Sequence, residues 1–413
     1  MINSLDLYDN PTSMEPLFPD DDKRILENLA LSLIEKASKI SGILNPITRS
    51  AIANLLKPMN SYYSNLIEGH DTHPIDIERA LNNNYDDNKA KRNLQLEAFA
   101  HIKVYESIAI EMANEQNKIV PTSTEFLKEI HERFYTHLHP EFKKVKSREG
   151  KIKTIVPGKL RTVEVEVGKH IAPKADKLIL FTTRFEEFYS PKIAMNNSKI
   201  RRVISIAASH HRFAWIHPFL DGNGRVARLY SDAFFMYENL DASGLWSISR
   251  GLARTKDEYK SKLANADLKQ FGNYDGRGNL SNKYLVEFCK YFLETAIDQI
   301  DFMYNLFDVQ NIIKRIEAFA DLMLVKNIFR AEAKQILVDV FVKGKISKKD
   351  AERITNTTEK TLKKITDPLI DNGLLRAKKE GIAVFYYAKY PIKYSPMLFT
   401  SLYPKDKEID MAL

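Results

Sequence analysis

Most of the chain carries apolar residues at every third or fourth position, the spacing that gives a helix one buried face. That rhythm predicts a helix over residues 22–44, where an Asp-rich start puts negative charge at the helix N-terminus, and another over 94–112. A further helix follows Pro121-Thr122-Ser123 and brings Phe126, Ile130 and Phe134 onto one face. Others cover 199–215, 226–235, 283–310 and 312–326. Polar residues 82–88, the lysine-rich run 143–153 and Asp275-Gly276-Arg277-Gly278 read as exposed loops or turns. Two stretches change period: Val163, Val165 and Val167 alternate with Thr162, Glu164 and Glu166 as in a strand, and 382–387 is also strand-like. The fold class is therefore mainly α with small β additions.

From residue 331 the pattern repeats in shorter units, with helices over 331–342, 348–355 and 358–372, then Gly373-Leu374-Leu375 and the strand-like segment. In layout this resembles a winged helix-turn-helix. Thr358, Thr361, Lys363 and Lys364 would then lie on the recognition helix and Lys378-Lys379-Glu380-Gly381 at the tip of the wing, although Pro368 interrupts the last helix. Such modules contact DNA or other proteins, and both readings stay open here.

Composition narrows the class. A chain of 413 residues with 44% hydrophobic content can build two or three domains with real cores. The formal charge of +8 is concentrated locally, from 343 to 389, so it argues for one basic unit rather than a basic protein. The single cysteine, Cys289, excludes an intramolecular disulfide and sits among Phe288, Tyr291 and Phe292 as a packing residue. There is no CxxC or HExxH cluster for zinc, and the adjacent His210 and His211 point to different helix faces. His131, on the helix after Ser123, reads as structural. No apolar run reaches membrane-spanning length. The acidic N-terminus, with Asp6, Asp9, Glu15 and 20–22, lacks a secretion signal, so a cytoplasmic protein without membrane contact is expected.

The densest chemistry runs from His217 to Arg228, HPFLDGNGRVAR. Gly222 and Gly224 let the backbone turn its N–H groups toward one point, and a helix starting near Asn223 adds its positive end, which together suit a phosphate. Arg225 and Arg228, three apart, share a helix face and can both reach that anion. Asp221 can offer oxygen to Mg²⁺ bridging phosphates, and His217 is the one group here whose ordinary pKa suits proton abstraction near neutrality. Taken singly, a DGNG string marks a turn and a His before Pro an ordinary loop residue.

Together the twelve residues resemble the Fic family signature HxFx(D/E)GNGRxxR at every specified position. Upstream, Pro157, Gly158, Leu160 and Arg161, followed by Val163, Val165, Val167, Gly168 and His170, look like the family's flap, a hairpin over the active site. Ser64-Asn65-Leu66-Ile67-Glu68-Gly69 resembles the inhibitory-helix motif (S/T)xxxE(G/N); outside that context Glu68 would be a solvent-facing helical carboxylate. Downstream, 247–252 and 257–259 look like the post-motif helices, so the likeness spans roughly residues 55 to 300.

The resemblance implies a helical Fic core with a β-hairpin flap, and a nucleotidyltransferase that moves AMP from ATP onto a Ser, Thr or Tyr hydroxyl of a target protein or of itself. By that likeness His217 is the base, Asp221 the Mg²⁺ ligand, and Gly222, Asn223 and Gly224 the anion hole. Arg225 would hold inner phosphates and Arg228 the terminal one, with Phe219 anchoring the loop. Ser64, Glu68 and Gly69 would form a restraint acting on Arg228, and Thr162, Val163, Glu164 and Val165 would dock the target. Gly224 stands where a phosphate-transferring branch carries Lys, which argues against that branch. The expected organisation is an N-terminal helical region with the inhibitory motif (1–115), a catalytic core (116–310), a connecting helix (311–330) and the winged-helix-like unit (331–400). The chain is compatible with a homodimer. Two alternatives stand beside this: a nucleotide-responsive DNA-binding regulator with little transferase activity, and removal of AMP with Glu68 steering water.

Overall fold

The computed structural model describes residues 8–114, 119–146, 150 and 152–404. In the N-terminal part α1 (Ile25–Ser41), α2 (Pro46–Glu68), α3 (Pro74–Leu81), α4 (Lys89–Met112) and α5 (Thr124–Thr136) follow one another. Small hairpins come next, β1 (Lys144–Lys146) with β2 (Ile152–Thr154) and β3 (Glu166–Val167) with β4 (His170–Ile171). The chain continues through α6 (Leu178–Tyr189), α7 (Lys199–Ile216), α8 (Asn223–Tyr237), α9 (Ile248–Arg254), α10 (Lys256–Ala266), α11 (Asn282–Leu306) and α12 (Val309–Val325). The last segment comprises α13 (Ala333–Lys343), β5 (Lys345–Ser347), α14 (Lys348–Thr355), α15 (Glu359–Asp371), β6 (Leu375–Glu380) and β7 (Ala383–Ala388).

Local chemistry sets the boundaries. Asn45 caps α2 by accepting from the Ile47 N–H, Pro46 supplies a preset φ at the first turn, and Gly69 ends the helix at φ +93°. Ser123 caps α5 as its position before the apolar rhythm predicts. Asn88 caps both Ala90 and Lys91, so α4 starts at Lys89, five residues earlier than its apolar rhythm shows. Asp308 caps a new helix by accepting from Asn311 N–H, which divides the expected 283–310 helix into α11 and the start of α12.

Packing places α7, α8 and α11 together, with α1 against α11 and α7, and with α2 against α4, α8 and α9. Phe185, Phe213 and Tyr230 meet between α6, α7 and α8, all of them buried. The second half of α2 is enclosed almost all round: Met59, Asn60, Ser61, Tyr62, Tyr63, Ser64 and Asn65 are all buried. A helix in that setting is held in place by its surroundings, not by propensity.

Two expectations need correction. The lysine-rich run is not simply a loop, because Lys144 pairs with Thr154 and Lys146 with Ile152 in an exposed antiparallel hairpin; 147–149 and 151 lie outside the described residues. The strand expected from Thr162 onward begins only at Glu166, with Glu166 opposite Ile171 and Val167 opposite His170. Before it, the Arg161 side chain captures the carbonyls of Val163 and Pro173 and pulls 161–165 into an irregular path.

In the last segment β5, β7 and β6 form an antiparallel sheet in that order, with α13, α14 and α15 against it. Strands β5 and β6 were not expected from the sequence, and α15 runs through Pro368. This segment touches α2 directly: Thr48 Oγ1 donates to the Phe341 carbonyl at 2.6 Å and Tyr63 Oη to the Leu402 carbonyl at 3.1 Å. A cleft of about 710 Å³ lies between α2 and β7 and is lined by no residue of the His217–Arg228 segment.

Candidate active site

His217 occupies the left-handed residue that ends α7, at φ +48°, and its N–H still bonds to the Phe213 carbonyl at 3.1 Å. The ring's Nδ1 is 3.4 Å from the Ala214 carbonyl. A carbonyl can only accept, so Nδ1 carries the proton and Nε2 keeps its lone pair. Burial, reinforced by the Arg161 guanidinium, pushes the imidazole down to about 4, which leaves it neutral at physiological pH.

The loop after it is tightly built. Phe219 is fully buried, its ring stacked on His131 at 4.1 Å. His131 accepts from Gly158 N–H at Nδ1 (2.9 Å), and its Nε2 lies 3.3 Å from the Asp221 carbonyl, so it links the start of the flap to the loop, a structural role. Gly222 has φ +79°, and a Cβ there would come within 2.9 Å of the Tyr135 ring. At Gly224 a Cβ would lie 2.5 Å from Glu68 Oε1, so a side chain at 224 is incompatible with Glu68 in this position.

The Asn223 side chain serves the loop itself. Its Oδ1 accepts from Phe219 N–H (2.9 Å) and its Nδ2 donates to the Phe219 carbonyl (2.8 Å), so the side chain staples the loop shut. What is left to meet an anion is the first turn of α8, where backbone N–H groups have no helical partner.

Arg228 is gripped by α2. Its Nε donates to Ser64 Oγ (2.9 Å), and its Nη2 donates to the Ser64 carbonyl (3.1 Å) and to Glu68 Oε1 (2.6 Å). Ser64 and Glu68 stand one helical turn apart, so both face the same guanidinium. Burial alone would raise the Glu68 carboxyl, but Arg228 and Arg225 outweigh it and hold it below the usual range. Arg225 contacts Glu97, a buried carboxylate of α4, and is 3.5 Å from Asp221.

Asp221 has a half-exposed side chain and accepts from Tyr135 Oη at 3.0 Å. Among the described residues no three His, Cys, Asp or Glu side chains converge as a metal cluster. One carboxylate fits Mg²⁺ nonetheless, since that ion is commonly bound by one or two carboxylates with the remainder supplied by phosphates and water.

Thr162 and Glu164 are exposed on the flap, Val163 and Val165 partly so. Arg161, itself buried, ties this segment to the site through Nε to the His217 carbonyl (2.9 Å) and Nη1 to the Val163 carbonyl (2.8 Å). A groove of about 560 Å³ runs along the flap to Leu220, with Lys153, Lys159 and Thr162 on its walls. Sequence reasoning assigned no role to Tyr135, Glu97 or His70; only Arg161 had a signal, its place in the flap.

Fold and site together define a mainly helical protein with a glycine turn leading into a helix N-terminus, a neutral imidazole beside it and an internal carboxylate closed on one arginine. Residues 121–235 match the Fic/DOC family model. It is similar to protein adenylyltransferase Fic of Drosophila melanogaster, 36% identical over 87 residues, which are 21% of this chain and 17% of that protein. The Drosophila grimshawi protein of the same name is 33% identical over the same share of each. The chain thus aligns with 17% of the length of these curated relatives. Among solved structures, a Fic family protein from Desulfovibrio desulfuricans G20 covers 90% of this chain and 98% of its own, with TM-score 0.51 and 14% identity. A Fic-1 fragment from C. elegans covers 68% and 73%, with TM-score 0.51 and 16% identity. These structures support the shared fold. Among the described residues no helix is long and apolar enough to cross a membrane.

Proposed function

We propose that the protein is an adenylyltransferase that moves AMP from Mg-ATP to a Ser, Thr or Tyr hydroxyl of a cytoplasmic target protein, or of itself, and that Glu68 restrains it. The observation that carries this reading is the placement of a neutral His217 and the α8 N-terminus on one loop, with Arg228 closed off by Ser64 and Glu68. Nucleotidyl transfer asks for orientation and charge neutralisation more than for covalent help.

The neutral Nε2 of His217 takes the proton of the acceptor hydroxyl. The hydroxyl oxygen bonds to the α-phosphorus, the bridge to the β-phosphate breaks, and pyrophosphate leaves. Unpaired N–H groups of the α8 first turn stabilise phosphate charge, Arg225 meets the inner phosphates, and Arg228 meets the terminal one once Glu68 moves away. Asp221 would hold Mg²⁺, which neutralises phosphate charge when bound. Flap residues 162–165 would align an extended target segment beside the groove. Intact-mass measurement after incubation with Mg-ATP tests this: the Glu68→Gly chain should gain one AMP on itself or label proteins in a lysate, and Glu68→Gly with His217→Ala should not.

A second reading concerns the C-terminal segment as a winged helix-turn-helix. Lys349, Lys360, Lys363, Lys364 and Lys379 are exposed on α14, α15 and β6, whereas Lys345 and Lys348 are neutralised by Glu380 and Glu359. That surplus favours contact with duplex DNA through α15. A gel-shift with the full chain should show a complex that weakens with salt and is lost in Lys363→Gln, Lys364→Gln. Binding that survives this double change would refute the DNA reading.

A further inference from the structure

Two arginines three apart on α8 each have their own carboxylate, and only one of those carboxylates rides on the inhibitory helix. Arg228 pairs with Glu68 of α2, whose side chain is one-third exposed, and Arg225 pairs with Glu97 of α4, which is 1% exposed. The Arg225 guanidinium also lies 4.9 Å from the Phe134 ring centroid and has Nη2 at 3.5 Å from Asp221 Oδ2. Its Nε is buried without a hydrogen-bond partner. The second oxygen of Glu97, Oε2, is 2.6 Å from Nδ1 of His70, two residues beyond Glu68. One enclosed carboxylate therefore bridges Arg225 to the turn that ends the inhibitory helix.

We propose that Glu97 is a positioning residue: it holds Arg225 in one orientation, with Nη2 beside Asp221, and through His70 it ties that guanidinium to the turn carrying Glu68. The proposal rests on the transferase reading above. The two carboxylates differ in what happens when a nucleotide arrives. Glu68 must leave Arg228, because phosphate and carboxylate compete for the same donors. Glu97, anchored in α4 and enclosed, stays. With Glu97 in place Arg225 has a fixed direction and little net charge to spare. Without it Arg225 would have more charge to give a phosphate and no fixed direction, so nucleotide would bind at least as well and react more slowly. A purely structural ion pair makes a different forecast, since its loss would lower stability, affinity and turnover together.

His70 adds a signature of its own. In the intact chain, losing its bond to Glu97 loosens the inhibitory turn and raises activity. Where Glu68 is already gone, the same loss only leaves Glu97 less well held and lowers activity.

The test uses the full chain. In the Glu68→Gly background, Glu97→Gln should lower kcat for AMP transfer about tenfold while KM for Mg-ATP stays level or falls. Phosphorus NMR of Mg-ATP bound to the inert His217→Ala form should show α and β resonances that are sharp and displaced with Glu97 and averaged toward free ATP with Glu97→Gln. His70→Ala, at a side chain 42% exposed and so tolerant of change, should raise labelling in the intact chain and lower it in the Glu68→Gly chain. Equal kcat with and without Glu97 overturns the proposal, as does a fall in kcat and affinity in step with melting temperature. His70→Ala acting in the same direction in both backgrounds also overturns it, and decides the matter if Glu97→Gln does not fold. If Glu68→Gly transfers no AMP, the transferase reading is what fails, and the phosphorus spectra alone decide whether Glu97 positions Arg225.

Discussion

Replacing Glu68 by Gly should make the protein less stable and a better nucleotide binder, and both effects come from one contact. Arg228 is 1% exposed, and Glu68 Oε1 sits 2.6 Å from its Nη2. Removing one partner of a buried ion pair costs about 3–5 kcal/mol. Here the carboxylate is one-third exposed and Ser64 keeps two bonds to Arg228, so the cost should fall to about 1–3 kcal/mol. The same free energy is what a nucleotide must overcome to reach Arg228. Its removal should therefore tighten Mg-ATP binding about 5- to 150-fold. Thermal unfolding and titration calorimetry on the intact chain and Glu68→Gly read the two quantities separately, and saturating Mg-ATP should recover part of the lost melting temperature. A lower melting temperature with affinity unchanged would refute the reasoning, because Glu68 would then be a structural partner of Arg228 and no competitor for phosphate.

The remaining predictions concern groups around the same loop. Because the folded pKa of His217 is lowered to about 4, its base form is nearly complete from about one pH unit above that value, so kcat/KM in the Glu68→Gly chain should be flat from about pH 6 to 8 and fall only below about pH 5. The folded pKa values of His101 and His210 are likewise lowered, to about 3, and that of His131 to about 4. Stability from these depressed groups is present above the free value of 6.5 and is lost as pH falls toward the folded values, by up to about 1.4 kcal/mol per pH unit per group, which urea titrations from pH 7 to 5 would measure. Asn223→Ala removes both bonds to the Phe219 backbone and should cost about 1–3 kcal/mol in denaturant unfolding, with transfer lost as the loop opens. Arg161→Met strands the carbonyls of His217, Val163 and Pro173 and should cost about 2–4 kcal/mol, lowering target modification more than Mg-ATP affinity by calorimetry.

The helical layout was legible because apolar spacing and caps agree: Ser123 before α5 and Gly69 after α2 both sit where local chemistry puts them. Boundaries slipped where a polar side chain overrode the rhythm, as Asn88 did by starting α4 early and Asp308 by opening α12. The glycine turn and the helix start after it could be read from HPFLDGNGRVAR, since glycines, arginines and a histidine within twelve residues are local information. Glu68 against Arg228, 160 positions apart, could be reached only through a motif resemblance. Glu97, 128 positions from Arg225 and surrounded by ordinary helical residues, had no such signal. The stapling by the Asn223 side chain was not legible, because an amide beside a glycine turn suits either an anion or a backbone, and only the fold shows that Phe219 takes both of its ends.

The central claim is that AMP, not phosphate, passes to a protein hydroxyl. Incubating Glu68→Gly with ATP labelled in parallel at the α- or the γ-phosphate, then measuring radioactivity retained on denatured protein, addresses it directly. The account predicts label from the α-position only, abolished by His217→Ala. Label from the γ-position, or none from either while Mg-ATP binds, would contradict it.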